Sequence, residues 1–264
     1  MSENPYQAPA SEVADPSQID PSGAGFSGEV HVREAAAGGR WLSDAWRLFS
    51  ANPGLWIAFI LVIIAISAAV QILGPFGGIA QSLITPVLSA GIMLGCDRVY
   101  RGGELKFDDL FAAFKEPHLV PLLILGAIYL VATIVIMLIS IVPFLGSFFL
   151  LFDNKPLSAM DLLPMMLGLA VFGLLLVPLM AASWMAAPLV VINNQKPVDA
   201  LKLSLVGCLK NWLPFLIYGL LLLPLSIAAS LPLMLGWLVL APVLMASAYT
   251  SYRDIYYSQG STAA

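Results

Sequence analysis

Four long stretches without a charged residue constrain the fold of this chain more than any other feature of its sequence. They cover residues 48–96, 117–152, 162–195 and 211–252. Because about 20 apolar residues cross a bilayer as a helix, the first and last stretches are long enough for two crossings each, and each middle stretch suits one. The sequence therefore predicts six transmembrane helices.

The composition agrees with an all-α integral membrane protein. The chain is 59% hydrophobic and 11% charged, whereas about 25% of the residues of a soluble domain are charged, so a soluble globular protein is excluded. Gly and Pro at 73–78 and 230–236 interrupt the two longest stretches and predict turns there. The spans are expected near residues 53–73, 78–98, 119–141, 163–190, 212–231 and 234–254.

The basic residues predict the orientation. Eleven of the twelve Lys and Arg residues lie before the first predicted span, between spans or at span ends on one side of the membrane, and only Lys155 falls on the other side. Cytoplasmic loops carry an excess of Lys and Arg, so both termini are expected in the cytoplasm. An even number of spans independently requires the termini to share a side.

Three regions follow from this reading. Residues 1–35 are acidic before Arg33 and rich in Ser, Pro, Ala and Gly, a composition that predicts a disordered cytoplasmic tail. Residues 36–257 form the membrane domain, and residues 258–264 form a short cytoplasmic tail. Within the first tail, NPYQAP at 4–9 is either a flexible start or a linear motif bound by a protein partner.

Amphipathic segments occur at 41–49, 105–116 and 197–212, each before a pair of spans. On a helical wheel the apolar side chains of each segment share a face opposite charged ones, which is typical of helices lying in the membrane interface. The third segment, PVDALKLSLVGCLKNW, has a less regular pattern and is expected to touch a neighbouring helix as well as lipid. The predicted interfacial contacts are Trp41, Trp46, Phe49, Phe107, Leu110, Phe111, Phe114, Leu201 and Leu205.

The three units look like parallel hairpin repeats, each preceded by its cytoplasmic amphipathic helix. Asp44-Ala-Trp-Arg resembles Asp199-Ala-Leu-Lys, for example. Pro86, Pro188 and Pro242 occupy similar places in the three even-numbered spans. Proline removes a helix hydrogen bond, so these positions predict a shared kink.

The sequence contains few features that indicate chemistry. The predicted spans carry no Asp, Glu, Lys or Arg near their centres, where an ionisable residue would mark a proton or ion path. No nucleotide-binding, hydrolase or metal-ligand motif occurs, so an enzyme, a cofactor, a metal site and a nucleic-acid partner are not expected. Gln81, Ser82 and Thr85 form a polar cluster that indicates either a path for a solute or close helix contact.

Several phrases resemble a known family. NPYQAP, DAWRLFSANPGLWIAFILV, PVLSAGIMLGCDRVYRGGELKFDDLFAAF and YRDIY together look like a family of uncharacterised proteobacterial integral membrane proteins. That resemblance implies a six-helix protein of the bacterial inner membrane. More distantly, APLVVINNQKPVDALKLS resembles the membrane domain associated with some glycerophosphoryl diester phosphodiesterases, although that family commonly has Glu-Gly at Asn193 and Asn194 and the phosphodiesterase domain is missing here.

The favoured interpretation is a non-enzymatic scaffold in the inner membrane. It would organise membrane lipid or protein partners through its interfacial helices and acidic tail. The alternative is a transporter or channel for a neutral or amphipathic solute. The sequence does not indicate an oligomeric state.

Overall fold

The computed structural model describes residues 25–150 and 159–257, and both parts are mainly helical. NPYQAP, Lys155 and residues 258–264 lie outside the described residues. The helices in chain order are α1 (Ala37–Ala51), α2 (Pro53–Gln71), α3 (Gly77–Tyr100), α4 (Leu119–Leu150), α5 (Ala159–Trp184), α6 (Ala186–Val191), α7 (Pro197–Lys210), α8 (Trp212–Ser230) and α9 (Trp237–Tyr256). Two 3₁₀ segments, Gly74–Phe76 and Phe107–Phe114, precede α3 and α4.

Local sequence explains where several helices begin. The side chain of Asn52 accepts a hydrogen bond from the N–H of Leu55 at 3.3 Å, and Pro53 occupies the first position of α2. Both features are typical of helix starts, because the first turn has unpaired N–H groups and proline has none to lose. Pro197 begins α7 in the same way.

Five helical stretches in the described parts of the chain are long and apolar enough to cross a membrane. They are Pro53–Gln71, Gly74–Tyr100, Leu119–Pro143, Leu162–Val191 and Trp212–Ser230. Each coincides with one of the first five predicted spans. The chain is therefore an all-helical integral membrane protein.

The sixth predicted span, 234–254, is not among these five. Its helix is present as α9, but residues 231–236 form a turn and α9 begins at Trp237. The last turns of α9 contain Ser, Thr and Tyr residues together with Arg253 and Asp254, which lower its hydropathy.

Helix α3 is the centre of the bundle. Half of its most apolar stretch is buried (50%), against 17% or less for the other four spans. Glycines allow this close packing: a Cβ atom on Gly91 would lie 2.3 Å from the carbonyl oxygen of Leu110, and one on Gly126 would lie 2.5 Å from that of Ser82. Small residues let neighbouring helices approach in this way, so the 3₁₀ segment and α4 both lie directly against α3.

Of the three predicted kinks, the one at Pro188 coincides with a break in the helix. Helix α5 ends at Trp184, Met185 lies in a turn, and α6 begins at Ala186. Proline at 188 cannot donate to the carbonyl of residue 184 and its ring crowds that carbonyl, which explains a break at this place. Pro86 and Pro242 are buried inside the continuous helices α3 and α9.

Helix α7 closes the break. The hydroxyl of Ser204 donates to the carbonyl oxygen of Ala181 at 2.7 Å and accepts the N–H of Met185 at 3.0 Å. In an unbroken helix these two backbone groups would bond each other, so the buried hydroxyl stands in for the missing bond. The segment PVDALKLSLVGCLKNW therefore contacts a neighbouring helix, as expected from its less regular pattern.

Residues 25–35 correct the predicted extent of the disordered tail. The N–H of His31 donates to the carbonyl oxygen of Ile255 at 2.9 Å, and that of Ser27 donates to Tyr256 at 3.2 Å. Phe26 and Tyr257 form an antiparallel bridge. The tail prediction relied on composition, and composition cannot reveal backbone pairing with a helix end more than 200 residues later. The prediction for residues 1–24 lies outside the described residues.

The threefold repeat stays a prediction. The order of elements follows the predicted units, since α1, the second 3₁₀ segment and α7 each precede a pair of longer helical stretches. The units differ in detail, because the second amphipathic segment is a 3₁₀ helix and the second stretch of its unit is divided into α5 and α6.

Candidate functional site

Polar side chains gather where the C-terminal end of α9 meets the N-terminal segment and the end of α3. We call this cluster the polar cap. Its members are Arg33, Asp97, Arg101, Asn193, Tyr249, Tyr252, Arg253, Asp254 and Tyr257. Most of them are buried or half-buried, although they belong to a protein whose other helix surfaces are mainly apolar.

Asp97 is the central carboxylate of the polar cap. It lies 2.7 Å from the guanidinium of Arg101 and 3.7 Å from that of Arg253, and it accepts the hydroxyl of Tyr249 at 2.9 Å. Partial burial favours loss of the Arg101 proton, but the hydrogen bond and charge of Asp97 outweigh it and raise the pKa of Arg101. The carboxylate is thereby compensated, as a partly buried charge must be.

Arg253 also stacks on aromatic rings. Its guanidinium carbon lies 3.9 Å from the ring centroid of Tyr100 and 4.1 Å from that of Tyr257. Such cation–π contacts stabilise a guanidinium that has lost much of its water. Arg253 thus joins the ends of α3 and α9.

Asn193 connects the loop after α6 to the same cluster. Its amide oxygen accepts the hydroxyl of Tyr252, and its amide nitrogen lies 3.3 Å from the hydroxyl of Tyr257. The two tyrosine hydroxyls are 3.1 Å apart. Asn193 therefore contributes to packing against α9.

A second ion pair holds the 3₁₀ segment Phe107–Phe114. Arg98 lies 2.5 Å from the carboxylate of Asp109, whose side chain is only 2% exposed. The other oxygen of Asp109 accepts the N–H of Lys106 at 2.8 Å, which caps the start of the segment. The amphipathic segment is therefore fixed to α3 by charge as well as by apolar contact.

An apolar cavity lies between α1, α8 and α9. It has a volume of about 580 Å³, within the range of about 300–1,000 Å³ that is common for ligand pockets. We call it the α1 groove. Its lining is almost wholly apolar and consists of Gly39, Leu42, Ser43, Trp46, Leu225, Ala229, Gly236, Val239, Leu240 and Val243.

A smaller cavity of about 320 Å³ lies between α3, α4 and α5 and is more polar. Its lining includes the hydroxyl residues Thr85, Ser89, Tyr129 and Ser183. Of the predicted polar cluster, only Thr85 reaches this cavity. Gln81 donates to Thr85 at 3.0 Å and Ser82 donates to the carbonyl of Gly78 at 3.0 Å, so the cluster bonds mainly within α3.

The predicted interfacial side chains divide into three groups. Trp41, Phe49 and Leu110 are buried in the bundle, with the ring of Trp41 at 4.8 Å from that of Phe215. Phe111, Leu201 and Leu205 are half-buried. Trp46, Phe107 and Phe114 are exposed. The prediction that whole apolar faces meet lipid is therefore wrong for the first group, because helical periodicity cannot distinguish a lipid-facing stripe from one that packs on protein.

The polar cap was not predicted from the sequence, although the end of α9 carries a pattern that indicates it. The last turns of α9 read YTSYRDIYY, residues 249–257, with four tyrosines and an Arg-Asp pair at the end of an apolar stretch.

In the described parts of the chain, no group of three or more His, Cys, Asp and Glu side chains is arranged to hold a metal ion. Cys96 and Cys208 are buried and free.

Comparisons with known proteins agree with this architecture. Residues 38–262 match a family described as a domain of unknown function, DUF7847, and the chain belongs to that family. A similar protein of Burkholderia thailandensis, described as a probable inner membrane protein, is 26% identical over 223 residues, which cover 81% of each chain. No solved structure matches the chain.

These findings confirm the resemblance to an uncharacterised family of integral inner-membrane proteins. The match begins at residue 38, after NPYQAP, so that motif is outside it. The more distant resemblance to the phosphodiesterase-associated domain stays a prediction.

Proposed function

We propose that this member of the DUF7847 family is a non-enzymatic scaffold of the inner membrane that organises lipid or protein partners at its cytoplasmic face. One observation carries the proposal. The amphipathic segments α1, Phe107–Phe114 and α7 are each anchored to the bundle by buried side chains and expose further apolar side chains beside charged ones. The exposed ones are Trp46, Phe107, Phe114, Val198, Val206 and Leu209.

The anchoring matters because a scaffold must present a surface at a fixed position. Asp109 and Leu110 hold the 3₁₀ segment, and Ser204 holds α7 at the break between α5 and α6. The exposed side chains on the same elements, such as Phe114 and Leu209, present apolar surface outside the bundle and suit the boundary between lipid and water.

The proposal includes six crossings with both termini in the cytoplasm. It is supported by the ion pair between Arg33 and Asp254, which joins the segment before α1 to the end of α9. At the other end of α9, the indole N–H of Trp237 donates to Ser230 at 3.1 Å, as in a tight turn after α8. If the first five apolar helices cross, α9 must return across the membrane to bring Asp254 back to Arg33.

Charged substitutions on the exposed side chains test the scaffold. Leu209→Asp is expected to reduce the lipid and protein that remain bound after gentle purification, because a carboxylate cannot replace an apolar interfacial contact. Lys202→Asp is the matched control, since it puts the same side chain at an exposed position of α7 that is already charged. If Phe114→Asp and Leu209→Asp leave bound lipid, bound protein and thermal stability unchanged, the scaffold proposal is overturned.

The second candidate, a transporter for a neutral or amphipathic solute, is favoured by the cavity of about 320 Å³ between α3, α4 and α5. Its hydroxyl groups could replace water around a small polar solute. Purified protein in vesicles would then accelerate the flux of radiolabelled glycerol or glucose, and Thr85→Val would abolish the gain. Thr133→Val, an exposed threonine of α4, is the matched control.

A further inference from the structure

We infer that the α1 groove binds an acyl chain of a phospholipid with an anionic headgroup, and that Arg40 and Arg47 contact the headgroup. This inference rests on the proposed scaffold function and specifies the class of lipid that the scaffold holds. The shape of the groove is the first reason for this ligand. The groove runs from Gly39, Leu42 and Trp46 on α1 to Ala229 and Gly236, which face each other beside the turn between α8 and α9.

The length of the groove suits a chain rather than a compact ligand. Its lining extends from Gly236, directly before α9, to Val243 on α9, a rise of about 10 Å at 1.5 Å per residue. The lining offers almost no polar group, and its one hydroxyl residue, Ser43, donates to the carbonyl of Arg40 at 2.9 Å. An apolar groove between membrane helices excludes polar solutes and accepts hydrocarbon.

The positive charge beside the groove is the second reason. Arg40 directly follows Gly39 and Arg47 directly follows Trp46, and both arginines are exposed. Since consecutive helical residues are about 100° apart, these side chains border the face of α1 that lines the groove. Arg47 also pairs with Asp44, whereas Arg40 makes no ion pair with any other described residue.

The apolar lining and the two arginines together suit one kind of ligand, a phospholipid with an anionic headgroup. An acyl chain in the groove would bring its phosphodiester group to α1, at the end of the bundle where Arg33 and Asp254 lie. Arginine binds phosphate by paired hydrogen bonds. A phospholipid whose headgroup keeps a net negative charge gains more from two arginines than a zwitterionic one does.

Native mass spectrometry of the full chain tests this inference. The protein is placed in bilayers of equal parts phosphatidylglycerol and phosphatidylcholine with identical acyl chains, and the retained lipid is identified. We expect one retained phosphatidylglycerol, preferred over phosphatidylcholine. A basic residue near a membrane surface favours anionic lipid by about fivefold, so Arg40→Gln together with Arg47→Gln is expected to reduce the preference by roughly 25-fold.

Two further variants locate the lipid. Val239→Trp fills the groove and is expected to abolish retention of any lipid, whereas Lys202→Gln together with Lys210→Gln removes two exposed charges from α7 and leaves the preference unchanged. Thermal unfolding is measured for each variant, so that loss of lipid is not confused with loss of the fold. A chain lacking residues 1–24 is expected to retain the same lipid, because the acidic tail is not the occupant.

The inference is overturned if both lipids are retained equally, if the double arginine variant keeps the preference, or if folded Val239→Trp retains lipid normally. It is also overturned if removing residues 1–24 is what opens the groove to lipid. These failures leave the scaffold proposal standing as long as Leu209→Asp still loses bound protein. Conversely, a retained phosphatidylglycerol with no effect of Leu209→Asp or Phe114→Asp supports a lipid site without a scaffold.

Discussion

Arg33 lies 3.1 Å from the carboxylate of Asp254, 221 positions later in the chain. The same guanidinium donates to the carbonyl oxygen of Asp254 at 2.7 Å and to that of Tyr257 at 3.1 Å. Asp254 also accepts the indole N–H of Trp41 at 2.8 Å. The segment before α1, α1 itself and the end of α9 are thus joined at one carboxylate.

The pair between Arg33 and Asp254 should contribute measurably to stability. Its side chains are 18% and 16% exposed, and hydrogen bonds to charged groups in such settings contribute about 1.5–3 kcal/mol. A double-mutant cycle with Arg33→Gln and Asp254→Asn, read from reversible unfolding in detergent, is expected to give a coupling energy of that size. The exposed pair Asp44 and Arg47, three residues apart on α1, is the control and should couple by no more than about 0.5 kcal/mol. Equal coupling in the two cycles would contradict the packing described for Asp254.

Adjacent glycines test whether α1 is docked on the bundle. A Cβ atom on Gly38 would lie 2.2 Å from the carbonyl oxygen of Pro214, while one on Gly39 would meet its nearest neighbour, Leu221, at 3.7 Å. Gly38→Ala is therefore expected to cost about 1–3 kcal/mol through overpacking. Gly39→Ala should leave stability unchanged or raise it by up to about 1 kcal/mol, since alanine is the better helix former. The thermal midpoints of the two variants give the comparison, and a free interfacial α1 would show no difference.

Ser204→Ala tests the repair of the helix break. The substitution leaves the carbonyl of Ala181 and the N–H of Met185 without their shared hydroxyl. An unpaired buried polar group costs about 1–3 kcal/mol, so a drop of at least that size in the free energy of unfolding is expected. Ser82→Ala, whose hydroxyl bonds only within α3, should change stability much less. If the two variants behave alike, Ser204 does not hold the break.

The thiol of Cys208 should be unreactive in the folded protein. Burial raises the pKa of Cys208 to about 12, and the thiolate is the reactive form. Between pH 7 and pH 9 the folded protein should hold almost no thiolate, so maleimide modification should be slower than in denaturant by at least about a hundredfold. A Cys96→Ala background isolates the signal. Rapid labelling of the native protein at pH 8 would show that α7 is not packed as described.

The sequence predicted the parts of this fold that hydropathy controls. Predicted spans 53–73 and 212–231 correspond to Pro53–Gln71 and Trp212–Ser230, because a bilayer fixes the length of an apolar helix. Helices also occur at the positions of the three predicted amphipathic segments. Their buried partners were not predicted, since a helical wheel shows that Trp41 and Leu110 are apolar without showing whether lipid or protein covers them.

The polar cap and the ordered segment before α1 required the structure. Nothing within the sequence near Arg33 indicates Asp254, and nothing near Asn193 indicates Tyr252. Such contacts depend on how α3, α6 and α9 meet, which is set by many small packing terms. Thr85 of the predicted polar cluster lines the cavity between α3, α4 and α5. The sequence does not indicate that Ser89, Tyr129 and Ser183 surround the same cavity.

The proposed scaffold requires six crossings, because its surface is proposed to lie on the side of the membrane where both ends of the membrane domain lie. A fusion of alkaline phosphatase or green fluorescent protein after the last residue of the full chain reports, in bacterial cells, the side of the membrane on which the C-terminus lies. Six crossings predict a fluorescent C-terminal fusion and an inactive phosphatase. An active phosphatase fusion and a non-fluorescent fluorescent-protein fusion would mean that α9 does not return to the cytoplasm, and would contradict the proposed six crossings.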